Sequence, residues 1–382
     1  MKYLKLTIIS LIAAAFAFTA CGGGGGGNGP SWKVVGNAKF TEHQANDIRI
    51  AIDSKGTPYL AYSANTDGAK PVVIKFNGTA WEMLGGGPVS EKGVNQIALA
   101  IDGNDVPYVA YSERLSGTFQ YEPNKIVIKK LVDNAWVELY NNEVDKWVPF
   151  ISIAINSNND PYVVYSKIFN DPEEDVKNAT LLIPDNETWA EVEVSEGGVI
   201  YSCIAIDSND IPYVAFGDFE DGPGEGSWKA TVKRYNGSNW ENVGQRRFTD
   251  NSASYISIAI DKNNVPYLAY VDYDDVEDTL GKVTVMKYNG SDWEPVGEKG
   301  FSPGKAMYLS IAIDSNNVPY VAFMDLANDQ KATVMKFDGT EWGALGGFGF
   351  SSERADYISF TFDRNNAPYV AFQGGSTVMV YR

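Results

Sequence analysis

The chain has 382 residues, 44% hydrophobic and 13% aromatic, with 37 Gly and 17 Pro, a mixture that favours strands and tight turns over helices. Its formal net charge of -18 argues against nucleic acid as a partner, because phosphate neutralisation needs clustered Lys and Arg. One histidine and two cysteines leave no His-based zinc site and no disulfide framework.

At the N-terminus, Lys2 and Lys5 precede an apolar run from Leu6 to Phe18, followed by Thr19, Ala20 and Cys21. A basic start, a short apolar segment and small residues before a cleavage point describe a secretory signal. The apolar run of about 13 residues is shorter than the roughly 20 a spanning helix needs. The segment ending in Cys21 resembles the lipobox of bacterial lipoproteins, although Phe18 stands where Leu is usual. The resemblance implies cleavage after Ala20, a diacylglycerol on the Cys21 sulfur and a membrane anchor through that lipid. Gly22 rather than Asp follows the Cys, which by the same analogy points to the outer membrane or cell surface. An ordinary secretory signal with an incidental Cys is the alternative. The Gly run from Gly22 to Gly27, with Asn28, Gly29 and Pro30, has the composition of a flexible tether. Residues 1–20 are therefore read as a signal peptide, 21–31 as the lipidated Cys and tether, and 32–382 as one folded domain.

Within that domain a Pro-Tyr pair recurs at Pro58, Pro107, Pro161, Pro212, Pro266, Pro319 and Pro368, at intervals of 49 to 54 residues. Five positions before each Pro stands Asp53, Asp102, Asn156, Asp207, Asp261, Asp314 or Asp363. A Trp also recurs, at Trp32, Trp81, Trp136, Trp189, Trp240, Trp293 and Trp342. In the fifth copy the pattern predicts strand a at Tyr255–Ile260, strand b at Pro266–Val271, strand c at Lys282–Tyr288 and strand d at Trp293–Gly297. Strand a alternates Tyr255, Ser257 and Ala259 with Ile256, Ile258 and Ile260. Asn289-Gly290 is a two-residue hairpin turn. Four short strands per unit of this length describe a propeller blade, so the fold class is all-β, a seven-bladed β-propeller. The first residues, Trp32–Gly36, read as a strand d without a blade, and Ser376–Arg382 as a strand c without its strand d. The N-terminal strand is therefore expected to close the last blade and leave no free edge. The repeated Asp is read as a turn-former that accepts local backbone N–H bonds. Cys203 falls in a strand predicted at Ile200–Asp207, as a lone buried thiol.

The copies resemble a group of bacterial extracellular repeat proteins whose units read A-T-V-M-K-Y-N-G and S-I-A-I-D-x-x-x-x-P-Y-V-A-Y. The likeness runs from Trp32 to Arg382 and is strongest at Ala332–Trp342 and Ser310–Phe323. Blade 3 departs most, with Asn156 in place of Asp. The resemblance implies a propeller in a cell-surface setting and implies no activity.

In a propeller of this order, the a–b and c–d turns share one rim and the b–c and d–a loops the other. The first set is short and repetitive here, and the second varies, which makes the second the expected working face. Its candidate ligand-binding residues are Asp218, Glu220 and Trp228 of blade 4, Asp272, Tyr273, Asp274 and Asp275 of blade 5, and Asp325 of blade 6. Such acidic, aromatic loops suit a glycan or a basic peptide, and oxygen-rich clusters suit Ca2+, although the EF-hand pattern is missing. Catalytic machinery is sparse: a Ser-His-Asp triad would depend on His43, the single histidine. The sequence therefore predicts a non-catalytic binding module for an extracellular protein or glycan. A hydrolase or lyase acting on carbohydrate through rim carboxylates is the alternative.

Overall fold

The computed structural model describes residues 31–37, 40–41, 44–65, 68–115, 123–168, 178–186, 188–195, 197–219, 227–273 and 281–382. They form seven antiparallel sheets, six of four strands ordered a-b-c-d in chain order and one of three ordered a-b-c. The inner strands are Ala45–Ile52, Val94–Ile101, Trp147–Ile155, Val199–Ile206, Ser252–Ile260, Ala306–Ile313 and Ala355–Phe362. Each touches the next, and the last touches the first, so the sheets close into a ring of seven blades. The third blade keeps the order of the others despite its divergent sequence.

The ring closes as the chain ends predict. Val34 bridges Tyr381 in antiparallel register. The Lys33 amide donates to the Arg382 carbonyl at 2.9 Å, and the Val35 amide to the Val380 carbonyl at 2.8 Å. Trp32 donates its indole N–H to the Leu345 carbonyl of blade 6 at 2.8 Å. Trp189, Trp293 and Trp342 make the same bond to the preceding blade, which identifies Trp32 as the Trp of blade 7.

The core lies between blades. Seven apolar clusters are buried, and each joins two neighbouring blades. The second aromatic of each P-Y-V-A-Y segment anchors them: Tyr111, Tyr165, Phe216, Tyr270, Phe323 and Phe372 are fully buried. Truncating one such ring to Ala costs about 3–5 kcal/mol.

The repeated Asp is a fold residue. In all seven blades its Oδ1, or that of Asn156, accepts backbone N–H groups two and four residues on, at 2.7 to 3.0 Å. Three residues after it stands a left-handed residue: Gly56, Asp105, Asn159, Asp210, Asn264, Asn317 or Asn366. Six of these side chains accept a backbone N–H from the turn of the preceding blade, at 2.7 to 3.3 Å. The seventh position, at the seam between blades 7 and 1, is Gly56 and has no side chain to offer.

Strand a of blade 5 differs from its predicted form. It begins at Ser252, three residues before the expected Tyr255, and its register shifts between Ser254 and Ser257. Tyr255 and Ile256 together face one partner position, which is a β-bulge. Pairing resumes beyond the bulge, with Ser252 opposite Tyr273, and this lengthens the strand. The same shift occurs at Asp47, Tyr201, Tyr308 and Tyr357.

Candidate functional site

The bulges shape the mouth of the central channel. The bulged residue in five blades has a left-handed backbone: Asp47 (φ 54), Tyr201 (φ 54), Tyr255 (φ 48), Tyr308 (φ 49) and Tyr357 (φ 54). This region costs a residue with a β-carbon roughly 1–2 kcal/mol, and Gly is its usual occupant. All five side chains line one cavity of about 340 Å3, together with Gln96 of blade 2 and Phe150 of blade 3. Each of the seven stands six positions before the turn Asp or Asn of its blade.

Around this mouth the aromatic rings form a continuous arc. Phe150 and Tyr201 have ring centroids 5.0 Å apart, Tyr201 and Tyr255 5.5 Å, Tyr255 and Tyr308 5.5 Å, and Tyr308 and Tyr357 5.1 Å. Burial pushes the Tyr201 and Tyr357 phenols up to about 12, and raises Tyr255 and Tyr308 as well. Neighbouring phenols add to the shift, because each charge would repel the next. The hydroxyls therefore stay protonated at neutral pH, and each both donates and accepts.

Below the arc lies a layer of serines, four positions before the turn Asp. Ser152, Ser257, Ser310 and Ser359 each accept a backbone N–H from the next blade, at 3.1 to 3.3 Å. Cys203 occupies the same position in blade 4. The residue is partly exposed along the channel wall, because strand a is the innermost strand, and its thiol is buried as its sequence context suggests. Its sulfur is turned inward toward the Ala215 carbonyl, and burial pushes the thiol up to about 12.

Blades 1 and 2 break both layers. Arg49 replaces the serine, and Asp47 replaces the tyrosine. Asp47 then makes the inter-blade bond itself, accepting the Ile97 amide. Arg49 contacts the Asp47 carboxylate at 3.0 Å, donates to the Ile48 carbonyl at 2.9 Å and reaches the Gln96 carbonyl oxygen at 3.5 Å. The Arg49 side chain is 33% exposed and Asp47 5%. Burial raises the Asp47 carboxyl above the usual carboxylate range, while Arg49 and the Ile97 amide pull it down. The mouth thus has an aromatic wall from blades 3 to 7 and a polar wall from blades 1 and 2.

The mouth opens on the rim of the b–c and d–a loops. Of the described residues expected to bind ligand there, Tyr273 lies close enough to the arc to disfavour ionisation of Tyr201 and Tyr255. Asp218 is buried and paired with Arg246 through two bonds of 2.7 Å, and Thr231 donates to it at 2.8 Å. Asp325 is fully buried and accepts from the Ala327 amide, Asn328 and Thr333. Asp272 accepts from Asn251 at 3.1 Å. Trp228 packs on Phe219 with ring centroids 5.5 Å apart, and its indole N–H is buried without a partner. Cys21, Glu220, Asp274 and Asp275 lie outside the described residues. Asp218 and Asp325 therefore serve internal bonds, and neither lines the cavity.

The mouth residues are not among those the sequence marks as a site. Their signal was one aligned column, six before the turn: Asp47, Gln96, Phe150, Tyr201, Tyr255, Tyr308 and Tyr357. Larger grooves occur on the opposite rim, such as one of about 670 Å3 beside Gly56 and Arg382. They recur between other blades around the Pro-Tyr segments, so they follow from the repeat itself. Among the described residues, no three His, Cys, Asp or Glu side chains are grouped to hold a metal ion. Among the same residues, no helix is long and apolar enough to cross a membrane.

No family model and no curated protein matches the chain. Solved propellers do match it in shape. A protein of unknown function from Dyadobacter fermentans has 12% identity and a TM-score of 0.51, over 93% of this chain and 98% of that one. An ulvan lyase, described as a polysaccharide lyase bound to a saccharide containing GlcA, has 12% identity and a TM-score of 0.56, over 91% and 95%. An α-L-arabinanase from Penicillium chrysogenum, complexed with arabinobiose, has 9% identity and a TM-score of 0.54, over 91% and 98%. These likenesses establish the propeller fold.

Proposed function

We propose that the chain is a non-catalytic glycan-binding module, carried on the bacterial envelope by a lipid on Cys21, with the tyrosine arc as its binding surface. One observation carries the binding reading. Four tyrosines hold left-handed bulge positions where Gly is free of strain, and all four line one cavity. Backbone strain repeated at one level of a channel points to selection for the side chains it displays. Half-exposed aromatic rings stack on the apolar faces of sugars, and the Ser and Gln96 groups beside them hydrogen-bond to ring hydroxyls. The ulvan lyase and arabinanase that share the fold both take carbohydrate, which fits this reading. The envelope setting is supported by the signal-like N-terminus and the residues around Cys21.

Native affinity electrophoresis through gels containing polysaccharides tests the binding reading. At least one polysaccharide should retard the protein, and Tyr308→Gly should abolish the retardation. Retardation by none, or equal retardation of the Tyr308→Gly variant, would overturn it. Metabolic labelling with a palmitate analogue, lost in Cys21→Ala, tests the anchor.

A carbohydrate-active enzyme is the second reading. It is favoured by Asp47, a carboxyl in the cavity wall whose pKa is raised by burial, as a proton donor requires. Turnover of a polysaccharide, lost in Asp47→Asn, would establish it.

A further inference from the structure

The charges at the mouth are already matched. Among the described residues lining the cavity, Asp47 and Arg49 are the only charged pair, and they touch at 3.0 Å. Beside Tyr308 and Tyr357, Arg354 grips Asp356 through three bonds of 2.8 to 3.0 Å. Both guanidinium groups are spoken for, so a carboxylate or sulfate entering here would be desolvated with no cation left to meet it. The surrounding field has the same sign. The chain carries a formal charge of -18.

The hydrogen-bonding groups facing the cavity are of a kind that reads hydroxyls. Tyr201, Tyr255, Tyr308 and Tyr357 each offer a donor and an acceptor. Ser257, Ser310 and Ser359 accept a backbone N–H and keep their own proton to donate. We infer that the mouth selects uncharged saccharides, neutral hexose or pentose chains, and excludes uronates and sulfated sugars. This rests on the glycan reading above and narrows it.

The test is native affinity electrophoresis of the full chain against two sets of polysaccharides. The neutral set is arabinan, galactan, xylan and mannan; the acidic set is alginate, polygalacturonate and a sulfated galactan. Retardation is expected from at least one neutral polymer, lost in Tyr308→Gly and changing less than about twofold in apparent Kd between roughly 0.05 and 0.5 M salt. No acidic polymer should retard the protein at either salt. Retardation by an acidic polymer that depends on Tyr308 and weakens with salt would overturn the charge inference and leave the glycan reading standing. Retardation by neither set would overturn both.

Discussion

The side-chain oxygen of Ser359 accepts the backbone N–H of Ile50 at 3.1 Å, tying the last blade to the first. It is the same bond that Ser310 makes to Phe360 and Ser257 to Ile311, so the seam is built like any other interface at this level. Ser359→Ala should therefore destabilise the ring by about 1 kcal/mol, the net worth of one hydrogen bond. Urea unfolding measures this, and an unchanged midpoint would show that the serine layer contributes nothing to closure.

Cys203 does the work of a serine in that layer. Cys203→Ser should leave stability within about 0.5 kcal/mol of the parent, because the site already suits a hydroxyl in four other blades. In the folded parent the thiol should react with a thiol reagent at neutral pH far more slowly than after unfolding, since burial pushes it up to about 12. Fast labelling of the native protein would contradict this.

Tyr308→Gly separates binding from folding. The change removes a ring from the arc and relieves a left-handed conformation worth roughly 1–2 kcal/mol. Loss of the half-buried ring contacts offsets that relief, so net stability should stay within about 1 kcal/mol. Glycan affinity should fall more than about tenfold, equivalent to ~1.4 kcal/mol. A large fall in stability with retained binding would assign the tyrosine to the fold.

Asp47 should impose a pH dependence on stability. Its carboxyl is raised above the ordinary value of 3.8 by burial, so the folded state holds the proton more tightly than the unfolded chain does. Its contribution is then most favourable at low pH and is lost as pH rises from 3.8 through the raised folded value. Asp47→Asn should flatten that part of the curve of melting temperature against pH. Parallel curves for parent and variant would show that Arg49 fully offsets the burial.

Gly56→Asn should strengthen the seam. Six other blades place Asn or Asp here in a left-handed conformation to hold the neighbouring turn. A β-carbon at Gly56 meets nothing nearer than the Asp363 carboxylate at 3.8 Å. The new bond, worth about 1 kcal/mol, outweighs the left-handed strain, which is smallest for Asn, so the net gain should be at most about 0.5 kcal/mol, read as a slightly higher unfolding midpoint.

The fold was legible in the sequence because its determinants are local and repeated. Asp261 sets a turn within five residues, Pro266 opens a strand, and Trp32 and Arg382 stand at complementary half-blades. The mouth was hidden for two physical reasons. A bulge inserts one residue against a single partner, so Tyr255, Ser257 and Ala259 still read as plain alternation. A left-handed tyrosine also carries none of the Gly, Asn or Asp signal by which such positions are recognised. The site further depends on one residue from each of seven blades, which no single segment displays. In the sequence, the acidic loop residues stand out as the charged part of a variable rim. Asp218 and Asp325 proved to be occupied by Arg246, Thr231, Asn328 and Thr333.

The closing strand also fixes the point at which the chain leaves the ring. Residues 32 to 36 run antiparallel to Thr377–Tyr381, so residue 31 leaves the ring at the rim of the a–b and c–d turns, opposite the tyrosines. A molecule held by its N-terminus is therefore attached through the rim opposite its channel mouth. Tension on that stem would pull along the closing strand. The bonds from Lys33 to Arg382 and from Val35 to Val380 would bear the load together in shear, rather than opening one at a time as a zip does.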